Sequence, residues 1–569
     1  MREKIHNVDL CVVGGGMAGI LCAISAARKG IKVALMHDRP VFGGNASGEI
    51  RVPIGGAYGR NNRETGILEE ICLENFYRNP SSNYSVWDSI LFDKVYSEEN
   101  IIPLMNCTCI DAETKDNQIV SVTGWQLTTE THHIVNAKYY ADCSGDGILA
   151  PLTGAEFRMG REAKSEYNET IPPDVADSCT MGMSCTFQIR ETESPKPFIP
   201  PKWAYVYDDE DLPDCRHNLI HHLWWIELGG EHDGIHDTEE LKFELLKIAF
   251  GIWDHFKNRG EHGYDNWEID WIEFLPGKRE SRRYIGDYVI TQHDVEAGGK
   301  FDDVVAYAGW SMDDHFPQGF YYRGGHPTTH HPAPSPWGIP MRSLHSKDFE
   351  NLFFAGRNIS ATHAAFSSCR VIATCAMMGQ AVGTAVASMV HNNTDFAGLD
   401  INNLQQTLLY DDCYLPYVDR KVSSLLDNAK VNHPVVCNGH DRCDENLWIG
   451  GDGDFIDITF DEEKFVRELR IIFDSDLNRN FVEWLNRSFQ QMPHIYPLGE
   501  DRFHLPETLI KEFTVEYYDK DGTVTTVDYE NHLRFVQIPL SKNVTRIKLI
   551  PKSTWGCKDF RIFSVEPIA

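Results

Sequence analysis

The chain has 569 residues, and its 53 Lys+Arg against 84 Asp+Glu give a formal net charge of −31. Such an acidic chain repels nucleic-acid phosphates and anionic membrane surfaces, so neither is expected as a partner. Hydrophobic residues make up 42% of the chain, which is enough for several cores and excludes intrinsic disorder, and the length predicts three to four domains.

The fifteen cysteines are scattered, without the tight runs that iron–sulfur ligation needs. Mostly reduced thiols in a cytoplasmic protein are the simplest interpretation. The most apolar stretch, residues 10–27, holds four glycines and follows Asp9. It lacks the basic leader of a signal peptide, and no segment is expected to span a membrane.

Residues 8–36 predict an apolar strand, the motif GGGMAG, a helix and a second strand. In this order the motif is typical of dinucleotide binding, and a glycine-rich turn in an ordinary α/β domain is the alternative. Gly14 permits a tight turn, Gly16 brings the backbone close to a pyrophosphate, and Gly19 lets the helix pack closely on the strand. The helix N-terminus then faces the phosphate charge.

The end of the second strand normally carries an acidic residue that binds the adenosine ribose. Here the expected position is His37, and the carboxylate follows at Asp38. Either Asp38 binds the ribose or His37 donates a hydrogen bond to it, and the sequence leaves both open. The segment 39–51 then has two adjacent glycines and small polar residues, which let the backbone lie against a flat ligand such as a flavin.

Further motifs follow along the chain. They are GGNAS at 43–47, ADCSGDG at 141–147, GKRESRRYIGD at 277–287, FAGRNISATH at 354–363, RVIAT at 370–374 and GQAVG at 379–383. Together with the first glycine motif they resemble the FAD-dependent oxidoreductases of the glutathione-reductase-type fold, and more narrowly the branch related to the flavin subunit of heterodisulfide reductase. The resemblance covers about residues 8–420 in order.

The resemblance implies FAD as the cofactor and hydride transfer at the flavin. The residues expected at the cofactor are Gly14, Gly16, Gly19, His37, Asp38, Arg39, Gly44, Asn45, Ala46, Ser47, Cys109, Asp146, Gly356, Arg357, Thr374 and Gln380. In the turn at 142–147, Asp142 or Asp146 reaches the cofactor or forms an Asx turn with its own backbone. The four cations of 278–283 bind an anionic ligand or pair with internal acids.

Residues 370–388 predict an apolar helix whose Gly379 and Gly383 allow close approach to a neighbour or to a ligand. The start of that helix, at Ala373-Thr374, offers partial positive charge to the N1–C2=O edge of a flavin. Simple helix packing without any ligand is the alternative.

These motifs predict an α/β fold with a discontinuous Rossmann-like FAD-binding domain, formed by residues 1–160 and 335–420. An inserted α+β substrate domain would occupy residues 161–334. Its many tryptophans and histidines either stack on a sugar ring or pack in a core. The histidine doublets 221–222 and 330–331 are adjacent pairs that do not point one way, and no metal site is predicted.

Residues 431–569 predict a C-terminal antiparallel β-sandwich, because short alternating segments are separated by turns rich in Asp and Gly. The predicted strands are 455–460, 466–473, 513–518, 534–539 and 544–550. The texture resembles galactose-binding-like modules. Such a unit either binds glycans or covers part of the catalytic unit.

A flavin dehydrogenase also needs a group that takes a proton from the substrate. His363 is the first candidate, because it lies between the turn at Gly356 and the helix after Arg370. His315 is the second, and Arg51 and Arg370 are candidates to orient an anionic or carbonyl-bearing substrate. Each of the four also has another interpretation, as a histidine that caps a helix or an arginine that binds a phosphate.

The sequence therefore predicts an FAD-dependent oxidoreductase that transfers a hydride between flavin N5 and a small polar, carbohydrate-like substrate. Two alternatives stay open at this stage. One is a flavin-dependent reductase of an unsaturated or carbonyl substrate, and the other is a non-catalytic glycan-binding protein on a relic flavoprotein fold.

Overall fold

The computed structural model describes residues 2–212, 223–479, 492–499 and 503–569, and the backbone of the short strands at 481–482 and 487–488. The N-terminal region contains β1 (Arg2–Val13), α1 (Met17–Arg28), β2 (Val33–Met36), α2 (Ile67–Arg78), α3 (Tyr84–Tyr96), β3 (Ile101–Leu104), β4 (Cys107–Lys115), β5 (Gln118–Gln126), β6 (Thr131–Asp142) and α4 (Leu149–Thr153).

The inserted region contains β7 (Phe157–Arg158), α5 (Lys164–Tyr167), β8 (Met183–Ser184), β9 (Phe187–Glu191), β10 (Glu227–Leu228), α6 (Thr238–Asn258), β11 (Trp267–Ile272), β12 (Gly277–Lys278), β13 (Arg283–Tyr284), α7 (Gln292–Glu296), β14 (Val304–Ala308), β15 (Met312–His315) and β16 (Thr328–His331). The chain then returns through β17 (Trp337–Pro340), β18 (Leu352–Phe354), α8 (His363–Cys369), α9 (Ile372–Asn392) and α10 (Ile401–Tyr410).

The C-terminal region contains β19 (Lys430–Val431), β20 (Trp448–Gly450), β21 (Ile456–Phe473), β22 (Phe481–Val482), β23 (Arg487–Ser488), β24 (Ile495–Tyr496), β25 (Ile510–Tyr518), β26 (Val524–Glu530), β27 (Phe535–Thr554) and β28 (Phe560–Ile568).

The N-terminal sheet joins two distant stretches of the chain. Strands β3, β2, β1 and β6 lie in this order and run parallel, and β5 and β4 continue the sheet antiparallel. Far along the chain, β18 pairs in parallel with the end of β6, with Phe354 opposite Asp142. The FAD-binding domain is therefore discontinuous, as predicted. The carboxyl ends of these strands meet at one edge, where open parallel sheets bind their ligands.

The long helix α9 packs against α1, and two glycines set the distance. A Cβ on Gly379 would lie 2.0 Å from the carbonyl oxygen of Ala18, and one on Gly383 would lie 2.1 Å from that of Cys22. These glycines thus serve helix packing rather than ligand contact. By length and composition α9 could cross a membrane, but 89% of its most apolar window is buried inside the protein, as in a core helix.

The insert has its own core around α6. Trp253 is fully buried there and packs edge to face on Phe187, with ring centroids 5.9 Å apart. For this tryptophan the core interpretation is therefore the right one. The small antiparallel sheet of β11 and β9 is extended by β24, which comes from the C-terminal region and pairs in parallel with β9.

The C-terminal region is an antiparallel sandwich whose sheet order is β20-β28-β21-β27-β25-β26, with β19 beside β21. Four of the five predicted strands form two long strands. The predicted strands 455–460 and 466–473 are joined in β21, and 534–539 and 544–550 are joined in β27, because each long strand continues where a turn was expected. Register shifts at Thr459/Lys464 and Val466/Glu468 bend β21 without ending it. A β-bulge preserves the hydrogen bonding between the strands but interrupts the alternation of buried and exposed side chains. For this reason the charged run after Thr459 resembles a turn in the sequence.

Buried ion pairs join the sandwich to the rest of the molecule. Arg534 donates to Asp412 at 2.8 Å, and both side chains are almost fully buried. Arg442 donates to the carbonyl of Asn61 at 3.0 Å and its guanidinium lies 4.0 Å from the ring centre of Tyr414. Because a buried charge is stable only when it is paired, these contacts fix the sandwich against the FAD-binding domain.

Candidate active site

A cavity of about 1130 Å³ opens at the carboxyl edge of the N-terminal sheet and extends to the insert. Pockets for drug-sized ligands measure roughly 300–1,000 Å³, so this one has room for a large ligand and a small one beside it. The dinucleotide end of the cavity is lined by Gly14, Gly16, Asp38, Arg39, Gly44, Cys109, Asp146, Arg282, Gly356 and Arg357. The substrate chamber is lined by Tyr58, Glu64, Trp224, Arg279, Trp310, Asp313, His315, His330 and Arg370.

Glycines shape the floor of the dinucleotide end. Gly14 has a φ of 104°, and a Cβ there would lie 2.4 Å from the backbone of Cys143. Gly16 precedes α1 and no side chain caps that helix, so its first N–H groups face the cavity as an anion site. Gly19 acts as predicted through packing: its Cβ would lie 1.8 Å from the carbonyl oxygen of Gly14, and it is not part of the wall.

The geometry distinguishes the two ribose candidates. The N–H of Gly15 donates to Nδ1 of His37 at 3.0 Å, and Nε2 of His37 donates to the carbonyl of Val41 at 2.9 Å. Burial lowers the pKa of His37 to about 4; Asp38 opposes this shift and Arg39 adds to it, so the ring is neutral and both nitrogens are occupied. Asp38 is half exposed and lines the cavity, which leaves its carboxylate available to a ribose.

Three arginines at the dinucleotide end have unused hydrogen-bond donors. Nη1 of Arg39, Nε of Arg282 and Nη1 of Arg357 are buried and have no acceptor among the residues that the structure describes. An unsatisfied buried donor costs about 1–3 kcal/mol, and more for a charged group. All three arginines line the cavity, so a ligand with several anionic and hydroxyl oxygens fits them. FAD, with its pyrophosphate and ribose, is such a ligand.

The two aspartates of the turn after β6 have different surroundings. Asp142 accepts from the backbone N–H of Ser144 and from the hydroxyl of Tyr284, and it is fully buried. Asp146 lines the cavity and binds Nζ of Lys278 at 2.8 Å and Nη2 of Arg357 at 3.2 Å. Burial opposes ionisation of Asp146, but the two cations hold its pKa well below its usual range. Asp142 thus orders the turn, and Asp146 orients cations toward the cavity.

Besides Gly19, four residues expected at the cofactor lie outside the cavity wall: Ala46, Ser47, Thr374 and Gln380. The carbonyl of Ala46 accepts from the indole of Trp87 at 2.8 Å, and Ser47 is fully buried. The side chain of Gln380 accepts from the N–H of Ile67 at the start of α2. Neighbouring Asn45 does line the cavity and donates to the carbonyl of Lys278 at 3.0 Å. The helix start at 371–373 also lines the cavity, whereas the side chain of Thr374 does not.

In the substrate chamber, His315 lies between two carboxylates. Its Nδ1 is 2.7 Å from Oε2 of Glu227 and its Nε2 is 3.2 Å from Oδ2 of Asp313. Burial opposes ionisation of both carboxyls. The pKa of Glu227 is nevertheless lowered by Arg279 and His315, and that of Asp313 is held well below its usual range by His315 and Arg370.

Two arginines frame this histidine. Nη2 of Arg370 binds Oδ2 of Asp313 at 3.1 Å, and Nε of Arg370 is buried without an acceptor among the described residues. Burial lowers the pKa of Arg370. Arg279 donates to the hydroxyl of Ser184 at 2.8 Å and to the carbonyl of Trp224 at 2.9 Å. The chamber thus offers cationic donors to an oxygen of a ligand.

Aromatic rings and one carboxyl complete the chamber. Tyr58 stacks on Trp310 with centroids 4.3 Å apart, and Trp224 presents its edge to His315 at 5.5 Å. Glu64 accepts from the backbone N–H of Ala57 at 2.9 Å, and burial raises its pKa to about 7. Sequence reasoning missed Tyr58, Glu64 and Glu227, because no motif or spacing distinguishes them.

The other two catalytic candidates lie elsewhere. Nδ1 of His363 is 2.9 Å from Glu280 and its Nε2 is 3.1 Å from Asp314, and the residue is fully buried away from the cavity. Burial opposes protonation of His363, but the two carboxylates raise its pKa to about 10. Arg51 lies between the rings of Tyr84 and Trp271, 4.4 Å from each centre, and does not line the cavity.

The structure thus brings His315 and Arg370 together and leaves His363 and Arg51 outside the chamber. The roles of all four stay predictions. Of the two histidine doublets, 221–222 lies outside the described residues, and His330 of the other faces Asp313 with Nδ1 3.4 Å from Oδ1.

The chain is similar to known proteins over stretches of different length. The model of the family described as FAD dependent oxidoreductase matches residues 9–408. A glycerol-3-phosphate dehydrogenase from Mycobacterium leprae (strain TN) is 36% identical over 73 residues, which is 13% of this chain and 12% of that protein. A glycerol-3-phosphate dehydrogenase 2 from Mycobacterium tuberculosis (strain ATCC 25618 / H37Rv) matches to the same extent. The chain therefore spans about an eighth of the length of these curated relatives.

Solved structures resemble separate parts of the chain. A geranylgeranyl bacteriochlorophyll reductase-like protein from Thermoplasma acidophilum is 12% identical and covers 68% of this chain and 80% of its own, with a TM-score of 0.32. A family 32 carbohydrate-binding module from Streptococcus pneumoniae EndoD is 14% identical and covers 26% of this chain and 98% of its own, with a TM-score of 0.19. TM-scores this low carry no argument about function.

Proposed function

The chain belongs to the family of FAD-dependent oxidoreductases, and we propose that it transfers a hydride between the flavin and a small polar, carbohydrate-like substrate in the substrate chamber. One observation carries the proposal. His315, paired with Glu227 and Asp313, and Arg370, whose buried Nε has no acceptor among the described residues, face the same cavity as the glycine-built dinucleotide end.

Bound FAD would supply the hydride acceptor or donor. The N-terminus of α1 and the unused donors of Arg39, Arg282 and Arg357 fit its phosphate and sugar oxygens. Asp38 is the residue we assign to the adenosine ribose, since both ring nitrogens of His37 are occupied. Partial positive charge at the start of α9, whose residues 371–373 line the cavity, suits the anionic edge of a flavin.

His315 is the residue we assign to proton transfer. Glu227 accepts the Nδ1–H and so fixes the ring, and Nε2 points toward Asp313 at the cavity wall. A substrate hydroxyl that takes the place of Asp313 at Nε2 would lose its proton to the imidazole as the C–H bond breaks and its hydride leaves. The carboxylate of Glu227 stabilises the imidazolium that forms, in the way that a buried acid supports a catalytic histidine.

Arg370 and Arg279 would bind and orient the substrate through its oxygens. The stacked rings of Tyr58 and Trp310 add a flat apolar wall to a chamber that is otherwise polar. A polyhydroxylated ring fits this combination, because its hydroxyls meet charged donors and its C–H face meets an aromatic ring. This is the support for a carbohydrate-like substrate.

A second candidate function uses the same residues in reverse. In that direction His315, which lies between two carboxylates at the wall of the substrate chamber, delivers a proton to the substrate instead of accepting one. That is the requirement for a flavin-dependent reductase of a carbonyl or unsaturated substrate.

Anaerobic mixing of the purified holoenzyme with sugars, amino sugars and uronic acids tests the proposal. Loss of the oxidised-flavin absorbance identifies an oxidisable substrate. Loss only with a chemical reductant, followed by reoxidation with a carbonyl or unsaturated compound, would support the reductase. The variant His315→Asn should retain FAD and slow the reaction with substrate on the order of 10²–10⁴-fold.

His345→Asn is the matched control. His345 is also buried and pairs with a carboxylate, Asp287, at 2.6 Å, but it does not line the cavity. It should react with substrate like the wild type. Equal rates in His315→Asn and the wild type would overturn the assignment of His315.

A further inference from the structure

A second cluster of ligating side chains lies in the insert, and none of its members lines the active-site cavity. It consists of Asp209, His255 near the end of α6 and His262 in the loop that follows. One ligand atom from each residue lies within 4.8 Å of the other two, and this is the one such group of His, Cys, Asp and Glu in the described part of the chain.

The distances within the cluster match those around a metal ion. Nε2 of His255 is 3.3 Å from Oδ1 of Asp209, and Nε2 of His262 is 3.8 Å from the same oxygen. Ligand atoms about 2.0–2.1 Å from a tetrahedral Zn²⁺ are roughly 3.3 Å from one another. The three atoms therefore surround a point that a metal ion could occupy after small side-chain movements.

The hydrogen bond at the far side of His255 fixes its tautomer. Nδ1 lies 3.0 Å from the carbonyl oxygen of Tyr207, and a carbonyl can only accept, so Nδ1 carries the hydrogen. With the hydrogen on Nδ1, Nε2 is the ring atom that can ligate a metal, and it lies on the side of Asp209. A ligating histidine that donates its other N–H to a carbonyl is the usual arrangement at metal sites.

We propose that Asp209, His255 and His262 bind a divalent transition-metal ion, Zn²⁺ in the first place, at a structural site in the insert. Two imidazoles and a carboxylate are typical zinc ligands, and a fourth position remains for water or another ligand. Imidazole ligands disfavour Mg²⁺ and Ca²⁺, which prefer oxygen. The ion would tie the segment that contains Asp209 to the C-terminal end of α6.

The test uses the full-length holoprotein without a histidine tag, stripped with a chelator and dialysed. Zinc content after exposure to Zn²⁺, and titration with Co²⁺ followed by visible absorption, report binding and ligand geometry. The wild type should retain close to one equivalent of Zn²⁺. The variants Asp209→Asn and His262→Ala should bind Zn²⁺ at least about 10–100-fold more weakly.

Both variants change positions at or near the surface, and Asp209 is 76% exposed, so the fold should survive. His236→Ala is the matched control, because His236 is 72% exposed and pairs with Asp233 at 2.8 Å outside the cluster. It should bind Zn²⁺ like the wild type.

A wild type that binds no Zn²⁺ or Co²⁺ would overturn the proposal, and so would equal affinity in the wild type and both variants. Because the readout is metal content and not flavin reduction, the outcome is independent of the proposed hydride transfer.

Discussion

The two ends of the cavity are built in different ways. The floor of the dinucleotide end is shaped by backbone, with glycines that bring β1 and α1 close to a ligand, and arginine side chains surround it. The substrate chamber is lined by side chains from distant parts of the chain, among them Tyr58, His315 and Arg370, and Glu227 pairs with His315. The floor of the cofactor site therefore depends on local backbone geometry, whereas the proposed chemistry depends on tertiary pairing.

Two histidines, one in the substrate chamber and one outside it, show a second contrast. His315 and His363 each lie between two carboxylates. His315 lines the cavity, and His363 does not. Similar carboxylate pairs thus surround both histidines, and access to the cavity distinguishes them.

The largest effect is expected from Gly14→Ala. The new Cβ would lie 2.4 Å from the backbone of Cys143, at a φ of 104° that disfavours side chains. Strain and clash of about 3 kcal/mol or more would weaken flavin binding on the order of 100-fold. Flavin content after gel filtration and titration with FAD measure the loss.

Gly30→Ala is the matched control for this change. Gly30 also has a positive φ, 86°, but a Cβ there meets nothing within 4 Å. It should cost about 1–2 kcal/mol of stability without loss of flavin. If Gly14→Ala kept its flavin as well as Gly30→Ala does, the dinucleotide end would not depend on this glycine.

The next effect is on stability and comes from His363→Asn. Removing one member of a buried charge network costs about 3–5 kcal/mol, so the unfolding temperature should fall. The folded variant should reduce its flavin with substrate within about tenfold of the wild-type rate, unlike His315→Asn. A rate loss as large as that of His315→Asn would restore His363 as the proton acceptor.

The same variant has a pH signature. The pKa of His363 is raised from its usual 6.5 to about 10, because Glu280 and Asp314 outweigh the cost of burial. A raised histidine pKa stabilises the folded state fully below about pH 6.5, and this stabilisation is lost as the pH rises through 10. The difference in free energy of unfolding between wild type and variant should therefore shrink from pH 6.5 to pH 10 in denaturant titrations.

The smallest effect is expected where the sandwich meets the cavity. Asn478 lines the cavity, and its side chain donates to the carbonyl of Ala57 at 3.4 Å. Because Asn478 has a φ of 66°, Asn478→Gly removes the side chain without adding strain. We expect KM to rise roughly threefold with kcat unchanged, the effect of one weak hydrogen bond.

Asn393→Gly, at a φ of 48° after α9, is the control. An unchanged KM would show that the sandwich serves only as a cover.

Much of the dinucleotide end could be predicted because its determinants are contiguous. Gly14 forms the tight turn and Gly19 the close packing that their spacing indicates, and β18 joins β6 as the later motif implied. The contact of Gly16 with a pyrophosphate stays a prediction. The sandwich strands were found as well, although bulges joined four of them into two. Membership of a motif predicted contact with the cofactor less well. Gln380 belongs to the motif GQAVG at 379–383, but its side chain binds the start of α2 and does not line the cavity.

The sequence by itself determined the family, the cofactor class and the order of the domains, since a tight turn or a helix start depends on residues that are neighbours in the chain. Only the tertiary structure shows that both ring nitrogens of His37 are hydrogen-bonded within the protein, and that His315 lines the cavity while His363 does not. Only there do Asp209, His255 and His262 converge. The physical reason is that a hydrogen bond, an ion pair or a ligand contact acts over a few ångströms in space. No spacing along the chain records which distant side chains come that close.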